Sequence, residues 1–158
     1  MPRLITGRTA LLEKPVVFRR NSSTTNNWVT ATASAHNIYT SWYTPANFPT
    51  AGRGGATITD NGRFTAQVPG TYLVINSSYT TDSSNSSAYG YLNVYKNGTA
   101  VDSGLIANYG GATNDQHADH SVILYLNEGD YVQIGVYAVN TGFQYYSPNC
   151  QMLVALID

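Results

Sequence analysis

Asp115-Gln116-His117-Ala118-Asp119-His120 is the densest cluster of ionisable side chains in the sequence. In an extended chain, residues two apart share a face. His117 and Asp119 would then stand side by side as two ligands of the kind a Zn²⁺ or another divalent ion takes. A third ligand would have to come from elsewhere in the chain or from a second copy. The plainer reading is a polar segment feeding a strand, and no resident metal is expected. The three His (His36, His117, His120) and nine acids form no recognisable nucleophile constellation. G-x-S-x-G, H-E-x-x-H and the P-loop are all missing from the sequence. Gly52-Arg53-Gly54-Gly55 is glycine-rich but opens no helix, so it is not expected to cradle a phosphate. The chain is expected to be no enzyme and to need no cofactor.

Binding chemistry is better represented. Tyr39-Thr40-Ser41-Trp42-Tyr43 with Phe48, and Phe143-Gln144-Tyr145-Tyr146, read as two aromatic-bearing loops. Trp42, Tyr43, Tyr145 and Tyr146 could stack on sugar rings while amide side chains read hydroxyls, so a glycan is a candidate ligand. The same residues could equally seal one end of an assembly. Charge supplies a second clue. Residues 1–20 hold Arg3, Arg8, Lys14, Arg19 and Arg20 against Glu13, a net of +4, and residues 21–158 carry −5. A basic arm, residues 1–14, thus precedes a mildly acidic body, residues 15–158. An acidic body repels phosphates, which argues against nucleic acid as the general partner.

The elements that must position these residues are strands. Only 11% of the residues are charged, whereas Tyr alone accounts for 13 of 158. Thr, Asn and Ser are abundant, and residues that favour long helices are not. A 42% hydrophobic content rich in β-branched and aromatic residues is enough to build a core. No stretch approaches 18 apolar residues, and the first residues carry no apolar signal region, so neither a membrane span nor a secretory leader is expected. Strand-like runs recur at 15–19, 28–35, 37–43, 56–59, 63–68, 71–79, 88–95, 101–109, 120–126, 131–137 and 150–157. Turn signals separate them, including Asp60-Asn61-Gly62, Pro69-Gly70, Lys96-Asn97-Gly98 and Asn127-Glu128-Gly129-Asp130. About ten strands without a helical period mean an all-β sandwich or jelly roll.

Four of these runs resemble one family in order and spacing. Asn61-Gly62-Arg63-Phe64-Thr65-Ala66-Gln67-Val68-Pro69-Gly70-Thr71-Tyr72 is similar to the G-x-F-x-A-x-x-x-G-x-Y core of the complement globular-head and tumour necrosis factor-like jelly rolls. Val94-Tyr95-Lys96-Asn97-Gly98 resembles their V-x-K-N-G hairpin. Val122 to Val132 resembles their L-x-L-x-x-G-D-x-V pair, and Met152 to Ile157 their last strand. The usual F-S-G-x-L entry to that strand is replaced by Ser147-Pro148-Asn149-Cys150-Gln151-Met152, and residues 1–14 contain no collagen-like Gly-x-y repeat, so no stalk is expected. The resemblance implies an antiparallel jelly roll that assembles as a homotrimer. Tyr89, Tyr91 and Tyr95 fall on one face of the run 88–95 and are the expected interface, because aromatics are enriched at interface cores.

These features together set the functional expectation. It is a non-enzymatic virion protein, a trimeric bacteriophage capsid decoration or cement protein made in the host cytoplasm. Arg3, Arg8, Lys14, Arg19 and Arg20 would dock it on a major capsid protein or another virion protein. The alternative is a receptor- or carbohydrate-binding head of a fibre or spike.

Overall fold

The run Thr71–Tyr79 is apolar and β-branched through its first half, and the strand it forms organises the molecule. In the computed structural model, residues 16–21, 28–39, 42–43, 62–82, 89–107, 116–146 and 149–158 are described. Arg3, Arg8, Lys14, Phe48, the 52–55 glycine run and the expected strand at 56–59 lie outside the described residues. Among the described residues twelve strand segments follow one another. They are β1 (Val16–Asn21), β2 (Trp28–Thr30), β3 (Ala35–Ile38), β4 (Trp42–Tyr43), β5 (Phe64–Thr65), β6 (Gly70–Asp82), β7 (Tyr89–Lys96), β8 (Thr99–Ala107), β9 (Gln116–Leu126), β10 (Tyr131–Ala138), β11 (Phe143–Tyr146) and β12 (Gln151–Leu156).

Two antiparallel sheets result, and they stack as a jelly roll. The larger runs β2-β11-β6-β12-β1-β4, with β9 also paired to β6; the smaller runs β5-β10-β7-β8. β6 is central: β9 pairs with it along Gly70–Thr80, while its other edge takes β12 at Tyr72–Ser77 and β11 at Thr80–Asp82. Its alternation is strict. Tyr72, Val74, Asn76, Ser78 and Thr80 point into the sandwich and are fully buried. The core closes between these side chains, Met152 and Val154 on one sheet and Leu92, Val94, Val132, Ile134 and Val136 on the other. Fully burying side chains of this size contributes roughly 1.5–3 kcal/mol each.

Two buried polar groups tie the sheets together. Asn76 reaches across from β6, its Nδ2 donating to the carbonyls of Asn93 (3.1 Å) and Gly135 (2.8 Å) on the smaller sheet. Ser78 Oγ donates to Asn76 Oδ1 at 3.0 Å and accepts from the Tyr39 hydroxyl at 2.9 Å. Cys150 lies in the same interior, fully buried, its thiol 3.6 Å from the Tyr146 carbonyl. Burial pushes that thiol's pKa up to about 11.

Several expected boundaries move. The run 28–35 is not one strand: Ser34 turns the chain with φ 54°, and β3 begins after it. β9 starts at Gln116, four residues before the expected strand, so His117 and Asp119 lie in extended chain. Phe143–Tyr146 is a strand, not a loop.

Candidate functional site

The hairpin between β7 and β8 is built by Asn97 and Gly98, with φ 51° and 82°. Two adjacent left-handed residues make the primed turn that Asn-Gly favours. The turn is clamped to its neighbour by Asp130. Asn97 Nδ2 donates to Asp130 Oδ1 at 2.8 Å, the Asn127 amide to Oδ2 at 2.9 Å, and Lys96 Nζ stands 2.9 Å from Oδ2. The Asn97 amide bond, the Asn127 amide and Lys96 hold the Asp130 carboxyl well below the usual carboxylate range. Two of the family-like motifs, K-N-G and G-D, thus meet in one structural knot.

Above this knot lies the outer face of the smaller sheet. β3 crosses it, bonded to β10 through the Tyr39 amide to the Ile134 carbonyl (3.1 Å). Gly135 permits the crossing, because a Cβ there would overlap the Asn37 carbonyl oxygen. β3 delivers His36 onto β7, where Nδ1 is 3.0 Å from the Tyr95 hydroxyl. Asn93 Nδ2 donates to the same hydroxyl at 3.1 Å. The Tyr95 oxygen accepts from Asn93, and the proton between Tyr95 and His36 Nδ1 belongs to one ring or the other according to the imidazole tautomer. Burial raises the Tyr95 pKa, with the Asn93 bond opposing, which keeps the hydroxyl protonated. An aromatic row runs on from there. His36 is 5.0 Å from Tyr137, Tyr137 is 6.4 Å from Tyr91, and Tyr91 is 6.4 Å from Tyr89, ring centre to ring centre. Beside the row opens a groove of about 560 Å³ lined by His36, Tyr91, Asn93, Tyr137 and residues 100–103 of β8.

The placement of the expected trimer tyrosines is therefore corrected in one respect. Tyr95 is 1% exposed inside its own subunit and offers no surface to another copy, because β3 has covered it. Tyr89 and Tyr91 remain on the outer face of the smaller sheet, Tyr89 exposed and Tyr91 half-buried. Asn93 falls on the Tyr91 face as strand alternation requires, whereas nothing in the sequence pointed to His36 beside it. The one available signal was an Asn between Leu92 and Val94 in a strand otherwise suited to a core.

The larger sheet presents a different outer face. Cross-strand register sets Leu73 beside Ile123 and Ala155, and Ile75 beside Ser121 and Leu153. Ile123 is 62% and Tyr125 60% exposed. A shallow depression of about 360 Å³ lies among Ile75, Ser77, Asp119, Ser121, Gln151 and Leu153.

His117 and Asp119 share this face, as extended chain requires. Their side chains are 3.9 Å apart, and Ser77 Oγ is 3.2 Å from His117 Nε2. Ser77, His117 and Asp119 therefore line up in the order nucleophile, base, acid. The arrangement lacks what acyl transfer needs. Asp119 stands beyond hydrogen-bond reach of the ring it would orient, and both side chains are at least half exposed. Backbone amides around Ser77 are committed to the β6 ladders with β9 and β12, which leaves no paired donors for an oxyanion. Among the described residues no three His, Cys, Asp or Glu side chains converge as metal ligands.

The two aromatic segments are kept apart. Trp42 and Tyr43 form β4, paired with β1 at one edge of the larger sheet, whereas β11 lies at the other end of its order, beyond β6, β12 and β1. Tyr145 packs on Tyr39 at 4.9 Å and joins the core, and Tyr146 meets Tyr79 edge-on at 6.2 Å. No single ligand loop joins the four residues. Arg19 and Arg20 lie on β1, opposite Met152 and Gln151 of β12.

The fold is that of a tumour necrosis factor-like jelly roll. No family model matches the chain, and no curated protein matches its sequence. Solved structures do. The chain is similar to Eiger, a tumour necrosis factor from S. frugiperda, with TM-score 0.65 and 15% identity, covering 92% of this chain and 94% of that one. It is also similar to the globular domain of zebrafish complement 1qA, with TM-score 0.57 and 16% identity over 92% and 98% of the two chains.

Proposed function

We propose that the chain is a non-enzymatic, self-associating head whose copies pack through the outer face of the larger sheet into a trimer. One observation carries this reading: Ile123 and Tyr125 stand exposed on an outer face that also holds the half-buried Leu73, Ile75 and Leu153. Contiguous exposed apolar surface marks an interaction site. The trimer implied by the sequence resemblance needs a flat face, and this sheet supplies one with a depression at its centre. The setting we propose is a virus capsid, with the trimer as a decoration protein on its surface. The +4 charge of residues 1–20 supports docking on an acidic partner, and three copies would multiply weak contacts.

Size-exclusion chromatography with light scattering tests the assembly. Three times 17.1 kDa is expected, and a 17.1 kDa particle at micromolar concentration overturns it. Deletion of residues 1–14 should leave the trimer intact and abolish co-sedimentation with capsids. Retained co-sedimentation would remove the docking role from those residues.

A further inference from the structure

Asn97-Gly98 places a side-chain amide carbon one residue ahead of a backbone nitrogen that no side chain shields. Both residues are exposed at the tip of the hairpin between β7 and β8, and both take left-handed φ. The Gly98 amide has no hydrogen-bond partner among the described residues. The Asn97 side chain, by contrast, is held at both ends. Its Nδ2 donates to Asp130 Oδ1 at 2.8 Å, and its Oδ1 accepts from the Tyr131 amide at 2.9 Å. A free nucleophile thus stands beside an electrophile that a neighbouring turn holds in place.

We propose that Asn97 is a site of spontaneous deamidation, and that the clamp from Asp130 and Tyr131 holds the reaction back in the folded chain. The Gly98 nitrogen bonds to Asn97 Cγ and gives up its proton, the Cγ–Nδ2 bond breaks, and Nδ2 leaves as ammonia. Water then opens the five-membered succinimide at either carbonyl, leaving aspartate or isoaspartate. Water is the only co-reactant. Attack requires Asn97 Cγ to turn onto the Gly98 nitrogen, because bonds form only from near contact in the right orientation. The two hydrogen bonds aim the side chain at the entry to β10 instead, and both must break first.

The product cannot rebuild the clamp. Asparagine offers an N–H to Asp130, whereas a carboxylate offers only lone pairs. Two like charges then stand where a hydrogen bond had been, and Lys96 already serves the other Asp130 oxygen, Oδ2. Conversion of one exposed residue therefore unlocks the hairpin from the turn between β9 and β10. The proposal rests on neither the trimer nor the capsid.

The test is a peptide map of the full chain after incubation at mildly alkaline pH, each asparagine followed by mass spectrometry. Asn61-Gly62, the same dipeptide, serves as the internal comparison. Asp130→Ala removes a charge-assisted hydrogen bond from the barrier, so it should speed conversion of Asn97 by about tenfold and leave Asn61 unchanged. An Asn97 rate that does not rise, or that rises only in step with Asn61, overturns the clamp. Asn97→Asp tests the consequence. It should lower the denaturation midpoint, and adding Asp130→Asn should restore part of the loss, because the new amide can donate to the new carboxylate. An unchanged midpoint, or a double variant no more stable than Asn97→Asp alone, overturns the unlocking.

Discussion

The outer faces of the two sheets start from the same strand alternation and end as different surfaces. On the larger sheet the outward residues of β6, β9 and β12 are aliphatic at the middle, and nothing in the chain crosses them among the described residues. On the smaller sheet the outward residues of β7 and β10 are Tyr91, Asn93, Tyr95, Gln133, Gly135 and Tyr137, and β3 lies across part of them. A flat apolar face can be satisfied only by another surface of similar size. A face half-covered by its own chain acquires relief, with a floor, walls and a buried polar group. One stays open and largely aliphatic, the other gains relief, and the residue that lets β3 make that difference is Gly135.

Introducing a charge into the flat face should have the largest effect. Ile123→Asp places an unpaired carboxylate at the proposed contact, worth about 3–5 kcal/mol against association. The mass by light scattering should fall to 17.1 kDa, whereas Tyr91→Ala on the other sheet should leave the assembly intact. If both variants dissociate it, the assignment of roles to the two faces is wrong.

Gly135→Ala attacks the relief instead. The new methyl collides with the Asn37 carbonyl and must push β3 away, which costs about 1–3 kcal/mol by overpacking. Thermal unfolding should show that loss, and the hydrogen-bonded contact of His36 with Tyr95 should vanish from the imidazole resonances. Self-association should persist.

Asn97→Ala serves as a reference that touches neither face. It places alanine in the left-handed region and removes the bonds to Asp130 and the Tyr131 amide, for about 1–2 kcal/mol in chemical denaturation.

The smallest expected change is acid loosening of the same knot. The folded-state pKa of Asp130 lies below its unfolded value of about 3.9. Its contribution is therefore present above pH ~4 and declines as pH falls through and below that value. Asp130→Asn should flatten that part of the stability profile measured by denaturant melts at several pH values.

Much of this was written in local sequence. The strand at 71–79, the Asn97-Gly98 turn and the Asn127 to Asp130 turn all appear where the sequence puts them. These are effects of neighbours along the chain. The four residues of β11 were not legible, because Phe143-Gln144-Tyr145-Tyr146 is a strand only by virtue of β6 and β2 on either side. The groove was least legible. Alternation placed Tyr91, Asn93 and Tyr95 together but could not tell that β3, some sixty residues earlier, would bury one end of the row. His117 and Asp119 came together as spacing required. Ser77, forty residues away, joined them only through the β6–β9 register.

Cys150 has a practical consequence. The chain's single thiol is sealed between the sheets and resists ionisation, and a thiol reacts with maleimides and disulfides only as the thiolate. Its labelling rate in the native protein is therefore a clock for the sandwich opening. A cysteine introduced on either outer face can carry a dye or a crosslinker while the native one stays silent.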